Sequence, residues 1–75
     1  MDVKLLLITL DRLLIEKLER NTAHMKVASD LRKVYVAGKD DTSALEMTGD
    51  LMCMRAKGEV YKDLIDIIEC MKDAL

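Results

Sequence analysis

The stretch VKLLLITLDRLLIEKLERNTAHMKVASDLRKVYVA, residues 3–37, decides the fold. At 100° per residue its apolar side chains gather on one side, and this phase persists to about residue 37. The sequence therefore predicts one long, unbroken amphipathic helix. The apolar side of this helix comprises Val3, Leu6, Leu7, Leu10, Leu13, Leu14, Leu18, Met25, Ala28, Leu31 and Val34.

The apolar arc of this helix is too wide for one neighbour, because Leu5, Ile8 and Ile15 extend it near the start. A helix that is apolar over more than half its circumference packs against at least two neighbours. A chain of 75 residues builds only a marginal core, and oligomerisation is one remedy. We therefore expect a homo-oligomer. Its predicted interface consists of Leu6, Leu7, Leu10, Leu14, Leu18 and Met25.

The central apolar stripe runs through Leu7, Leu10, Leu14, Leu18, Asn21, Met25 and Ala28, in steps of 3-4-4-3-4-3. That spacing is closer to an 11-residue repeat than to a strict heptad. It favours a nearly straight bundle.

The second half of the chain predicts a loop over residues 38–42, in which Gly38 ends the first helix in a left-handed conformation. Ser43 and Glu46 match a capping box that starts a new helix. The apolar face then rotates by more than a quarter turn at Lys57 and Gly58. We expect a kink or break there, with helices over 43–56 and 59–75; one continuous helix over 43–75 is the alternative.

The predicted fold is thus a single all-α domain over residues 1–75, a helical hairpin or three-helix unit assembling into an oligomeric bundle. Its predicted core consists of Leu6, Leu10, Leu14, Leu18, Leu64, Ile67, Ile68 and Met71.

Polar residues interrupt the apolar face of the first helix. Lys17, Asn21 and His24 stack along it at i, i+4 and i+7, Arg20 flanks them, and Arg32 lies further along. A buried polar group without a partner costs about 1–3 kcal/mol, so these residues are expected to meet partners. One interpretation is a polar layer that fixes the register of an oligomer. The other is a binding site for a small anion, to which the basic side chains supply charge.

Several other kinds of site find little support. His24 has no Asp, Glu or Cys three or four positions away, so no metal site is predicted. Cys53 and Cys70 are expected to be buried, reduced thiols. The methionines of the second half either fill the core or form an adaptable binding surface. No cofactor motif, nucleophile–base pair or phosphate loop is present, so we expect no enzymatic activity.

The same composition bears on location and partners. The apolar run at residues 5–8 ends before Asp11, which argues against a membrane span or signal peptide. An isoelectric point near 5.3 and the lack of a basic, aromatic patch argue against nucleic-acid binding.

We therefore expect a small cytoplasmic homo-oligomer that acts by binding another macromolecule, most simply another protein. Small all-helical modules of this kind are common among bacterial and phage adaptors, chaperones and inhibitors, which is an analogy of fold class alone. Two alternatives stay open: a small-molecule or nucleotide binder using the polar cluster at a subunit interface, and an RNA-binding hairpin dimer.

Overall fold

The computed structural model describes residues 2–75, which form two antiparallel helices packed as a hairpin. Helix α1 spans Val3–Ala37 and helix α2 spans Asp41–Asp73. The hairpin is a rod with Cα extents of 55 × 15 × 14 Å. The predicted all-α class and the boundaries of the first helix are confirmed. The three-helix alternative is wrong for this part of the chain, because α2 is a single helix.

The two helices meet along a line of buried and half-buried side chains, which we call the seam. Its members recur in alternating steps of four and three residues, the spacing of a coiled-coil interface. On α1 the seam consists of Leu7, Asp11, Leu14, Leu18, Asn21, Met25, Ala28 and Tyr35. On α2 it consists of Ala44, Met47, Leu51, Met54, Gly58, Tyr61, Ile65, Ile68 and Lys72.

The prediction that Leu10 lies in the central stripe of α1 is wrong, because the seam passes through Asp11 instead. Asp11 is buried and Leu10 is 40% exposed. The Asp11 carboxylate can be buried between the helices because the Lys72 Nζ lies 3.1 Å from Asp11 Oδ2 and compensates its charge. With Asp11 in place, the 11-residue spacing becomes a heptad spacing.

The predicted core is also corrected. Ile68 is buried and Leu14 and Leu18 are half-buried in the seam. The other five predicted core residues lie outside the seam, with 40–55% of their surface exposed: Leu6, Leu10, Leu64, Ile67 and Met71.

The loop is shorter than expected and its left-handed residue is different. Gly38 has φ −81°, whereas Lys39 has φ 59°. The Lys39 N–H donates to Val36 O and the Asp40 N–H donates to Tyr35 O, the pattern of a Schellman motif. The motif therefore places its left-handed position one residue after the glycine.

Helix α2 begins at Asp41 rather than Ser43, because Asp40 is its N-cap. The Asp40 carboxylate accepts from the Ser43 N–H at 3.2 Å. Hydrogen bonds from the Ser43 side chain and backbone hold the pKa of Asp40 below its ordinary 3.8. Ser43 is thus the third residue of the first turn, and the predicted capping box does not form the cap.

The predicted break at Lys57 and Gly58 is wrong, since α2 continues through both residues. Gly58 is buried in the seam opposite α1. A Cβ atom there would lie 3.2 Å from Asn21 Nδ2 and 3.9 Å from Leu18 Cδ1. The glycine therefore allows close packing of the helices. The apolar face before Gly58 consists of seam residues, whereas most residues of the apolar face after it belong to a neighbouring stripe that is described below. This difference accounts for the rotation of the apolar face in the sequence.

Replacing Lys39 with Gly should stabilise the hairpin by about 0.5–1 kcal/mol, because a left-handed conformation costs most residues about 1–2 kcal/mol and glycine little. Urea denaturation measures the effect. Lys39→Ala is the matched control and should give no gain, since it keeps the strained backbone. An equal gain in both variants would assign the effect to the lysine side chain.

Replacing Gly58 with Leu should destabilise the fold by about 1–3 kcal/mol, because the side chain has to displace Asn21 and Leu18. Gly49→Leu is the control: nothing lies within 4 Å of a Cβ at Gly49, so the helix gains up to about 1 kcal/mol. Thermal unfolding followed by circular dichroism compares them. Equal effects at the two positions would contradict the close packing at Gly58.

Candidate functional site

A cluster of basic side chains surrounds an open depression beside the middle of the seam. The depression has a volume of about 160 Å³ and is lined by Lys17, Arg20, Asn21, His24, Lys57 and Tyr61. The first four belong to α1 and the last two to α2. Four of the five predicted binding residues therefore do come together, and α2 adds a third fixed positive charge at Lys57.

The fifth predicted binding residue, Arg32, lies apart from this cluster. Its Nε donates to Thr48 Oγ1 at 2.7 Å, nearer the loop. The Thr48 hydroxyl in turn donates to Ala44 O at 2.9 Å. Arg32 thus ties the two helices together close to the turn.

Asn21 differs from its basic neighbours because it is buried. Its Nδ2 donates to the Met54 carbonyl oxygen at 2.7 Å and lies 3.9 Å from Met25 Sδ. Gly58 faces the same amide. Asn21 therefore joins α1 to one level of α2 and forms the inner wall of the depression.

The basic cluster carries unneutralised charge. Within residues 2–75, both ion pairs shorter than 4.0 Å belong to Lys72, with Asp11 and Glu69 as its partners. Lys17, Arg20 and Lys57 have no such carboxylate. No Asp or Glu lies three or four positions from Lys17 or Lys57 along their helices. Glu16 lies four positions before Arg20 but makes no ion pair with it in the described chain. Three fixed positive charges thus share one small surface in a chain of net charge −2.

Sequence reasoning missed Lys57 and Tyr61, because it placed a helix break at Lys57. A signal was available in the 3-4 spacing from Ala44 to Lys72, which runs unbroken through Gly58 and Tyr61. That spacing puts Lys57 directly beside the seam.

The basic cluster lies within a second stripe that runs alongside the seam on each helix. We call the two stripes together the flanking face. On α1 the stripe consists of Val3, Leu6, Leu10, Leu13, Lys17, Arg20, His24, Val27, Leu31 and Val34. On α2 it consists of Ser43, Glu46, Asp50, Cys53, Lys57, Val60, Leu64, Ile67, Met71 and Ala74.

The two stripes lie on the same side of the hairpin. The basic depression brings Lys17, Arg20 and His24 of α1 together with Lys57 of α2. Nearer the loop, Val27 and Leu31 share a second depression with Asp50. The large aliphatic and methionine side chains of the flanking face are 40–64% exposed. The hairpin therefore leaves a largely apolar face uncovered, with basic residues at its centre and Glu46 and Asp50 near the loop.

The opposite side of the hairpin is richer in charge, and we call it the charged face. Its residues include Arg12, Glu19, Lys26, Lys33, Arg55, Glu59, Lys62 and Glu69. Leu5, Ile8 and Ile15 also lie there and are exposed among these charges. The flanking face is thus largely apolar with a basic centre, whereas the opposite side carries mainly charged residues of both signs.

Both cysteines are exposed, so the expectation of buried thiols is wrong. Cys53 lies on the flanking face. Cys70 points away from the seam, because it lies two residues after the buried Ile68.

A second polar group lies in the seam near the open end of the hairpin. Lys72 Nζ lies 3.1 Å from Asp11 Oδ2 and 3.0 Å from Glu69 Oε1. Hydrogen bonding with Glu69 and then with Lys72 lowers the pKa of Asp11, and the same contacts, Glu69 first, raise the pKa of Lys72. Asp11 Oδ1 is buried and has no hydrogen-bond partner within the described chain.

No protein-family model, curated protein or solved structure matches this chain. Among residues 2–75 no His, Cys, Asp and Glu side chains group in threes suited to a metal ion. Neither described helix has the length of apolar sequence that crossing a bilayer requires.

The ion pair predicts a defined pH dependence of stability. The lowered pKa of Asp11 means that its contribution is lost as the pH falls below about 3.8. The raised pKa of Lys72 means that its contribution is lost as the pH rises above about 10.5. Asp11→Asn should therefore lower the unfolding free energy at pH 7, and the difference from wild type should disappear in strong acid.

Urea denaturation at pH 7 and in strong acid measures this difference. Asp30→Asn is the control, because Asp30 is exposed on the outer side of α1 and makes no ion pair in the described chain. A difference for Asp11→Asn that is the same at both pH values would contradict the role of the ion pair.

Proposed function

We propose that this protein is a small cytoplasmic homo-dimer whose flanking faces pack together, and that the resulting four-helix bundle is a module that binds another macromolecule. The observation that supports the assembly most directly is the order of residues along the α1 stripe. It begins apolar, becomes basic in the middle and ends apolar, so that it matches its own reverse.

The match becomes specific when two α1 stripes are set antiparallel with a twofold axis between Lys17 and Arg20. Val3 then lies opposite Val34 of the second copy, Leu6 opposite Leu31, and Leu10 opposite Val27. These three pairs are apolar on both sides, whereas nearer the axis Leu13 lies opposite His24 and Lys17 lies opposite Arg20. Isologous interfaces of this kind are the commonest way in which identical chains associate.

The α2 stripe fits the same axis. Asn21 contacts Gly58 and Arg32 contacts Thr48, which fixes the level of α2 beside α1. At that level Val60 lies opposite Leu64 of the second copy, and Cys53 lies opposite Met71. The same arrangement also places Lys57 opposite Ile67, so the match on α2 is apolar on both sides of Lys57 but not at it.

A parallel arrangement of the two hairpins is less favourable. It would place each α1 stripe over the α2 stripe of the other copy. Leu31 and Val34 would then face Asp50 and Glu46, and burying carboxylates against aliphatic side chains is costly. We therefore favour the antiparallel pair.

The exposed area supports association. A folded monomer of 8.5 kDa is expected to expose about 4,700 Å², whereas this hairpin exposes 5831 Å². The excess of roughly 1,100 Å² exceeds the about 800 Å² that each partner buries in a standard stable interface. The hairpin thus has enough spare surface to supply one side of a stable dimer.

The charged face stays outside in such a dimer, and it is the surface that we assign to a partner macromolecule. Charges of both signs alternate along it, as in Arg55, Glu59 and Lys62. Patterned charge gives specificity and speeds association more than it adds affinity. A protein with complementary charge is the partner that this surface fits best.

Sedimentation equilibrium tests the assembly. Wild type should sediment as a dimer, and Leu10→Glu should weaken the dimer at least about 100-fold, or about 2.7 kcal/mol, because it places unpaired charge in the interface. Leu5→Glu is the matched control, since Leu5 is 61% exposed on the charged face. It should leave the dimer intact.

Circular dichroism on the same samples reports whether folding depends on assembly. Leu10→Glu is expected to lose helix content together with the dimer, because folding of an obligate dimer is coupled to association. A wild-type mass of 8.5 kDa at a protein concentration of about 100 μM would refute the proposed assembly. Equal effects of the two substitutions would refute it as well.

A further inference from the structure

The basic cluster takes on a particular position in the proposed dimer. The twofold axis passes between Lys17 and Arg20, so both copies place these residues at the centre of the interface. Lys57 lines the same depression as Lys17 and Arg20 in each hairpin. Two copies therefore bring six fixed positive charges and two His24 imidazoles around one axis.

The carboxylate at a spacing of three or four residues from this charge is Glu16, which lies four residues before Arg20 but is exposed on the side of α1 away from the seam. Within the described chain, Lys17, Arg20 and Lys57 make no ion pair. In the antiparallel pair, the acidic residues of the flanking face, Glu46 and Asp50, lie near the far ends of the bundle. Like charges brought together at an interface weaken the dimer, so an anion that binds between them would strengthen it.

We propose that the two basic depressions join across the twofold axis into one site for a diphosphate group. Guanidinium groups bind phosphate oxygens through two parallel hydrogen bonds, and lysine ammonium groups add point charges. Tyr61 lines the depression and offers a hydroxyl donor. The inference rests on the proposed dimer, because a single hairpin supplies half the charge and leaves the depression open.

A diphosphate fits this site better than a large polyanion. In the dimer, apolar residues of the flanking face such as Leu10, Val27 and Leu64 lie on both sides of the centre, which leaves room for a compact ligand. The rest of the chain is acidic, with a net charge of −2, and would repel an extended polyanion. The diphosphate can be free pyrophosphate or the diphosphate part of a nucleotide such as ADP.

The test is isothermal titration of wild-type protein with pyrophosphate and, separately, with ADP, combined with sedimentation equilibrium. One pyrophosphate should bind per two chains, and saturating pyrophosphate should tighten the dimer at least tenfold, since a ligand stabilises the state that binds it. Tighter binding of ADP than of pyrophosphate would identify a nucleotide site. Equal or weaker binding of ADP would identify free diphosphate.

The variant Lys17→Gln with Arg20→Gln removes four charges per dimer. Its affinity for pyrophosphate should fall at least 100-fold. Without ligand its dimer should be tighter than that of wild type, because the repulsion at the axis is relieved. Lys26→Gln with Lys33→Gln is the matched control: it removes equal charge from the charged face and should change neither quantity.

The outcomes separate the two proposals. A wild-type dimer that does not bind pyrophosphate, or that binds it equally well in both double variants, would overturn the diphosphate site and leave the dimer standing. A wild-type monomer would overturn the dimer and the shared site together. One pyrophosphate per single chain would overturn the shared site.

Discussion

The contact between Asn21 and Gly58 is the constraint on which the rest of the structure depends. The Asn21 amide donates to the Met54 carbonyl at 2.7 Å and occupies the space that a side chain at position 58 would fill. A polar residue in a helix–helix seam has one favourable partner, so it selects one register over its neighbours. That register sets Asp11 beside Lys72 at one end and Arg32 beside Thr48 at the other.

Once the seam is set, the flanking face follows. A helix with apolar residues over more than half its circumference cannot bury all of them against one partner. The seam takes Leu7, Leu14 and Leu18, and the side chains beside it, Leu6, Leu10 and Leu13, stay exposed. The same register brings Lys57 next to Lys17, Arg20 and His24, so one contact positions both the apolar face and its basic centre.

The sequence predicted helix α1 well because its apolar phase is continuous and Gly38 interrupts it. It predicted the seam less well, because hydrophobicity alone favours Leu10 over Asp11. Lys72, 61 residues away in sequence, decides between them by pairing with Asp11. The periodicity of α1 carries no information about where Lys72 lies. The break expected at Gly58 failed for a related reason: a glycine in a helix either ends it or lets a neighbour approach, and only Asn21 shows which. The basic cluster on α1 was predictable from spacing, whereas Lys57 required the register.

The distance between two spin labels in the assembled protein distinguishes an antiparallel dimer from a parallel dimer and from a monomer. The label is attached at Lys33→Cys, an exposed site on the charged face, with Cys53→Ala and Cys70→Ser to avoid other labelled thiols. An antiparallel pair centred between Lys17 and Arg20 predicts a separation of about 45 Å, from a rise of 1.5 Å per residue. A separation of about 20–30 Å would show parallel hairpins, because the labels lie on the outer faces of helices about 8–10 Å apart. No dipolar signal would show a monomer, and either result would contradict the antiparallel dimer.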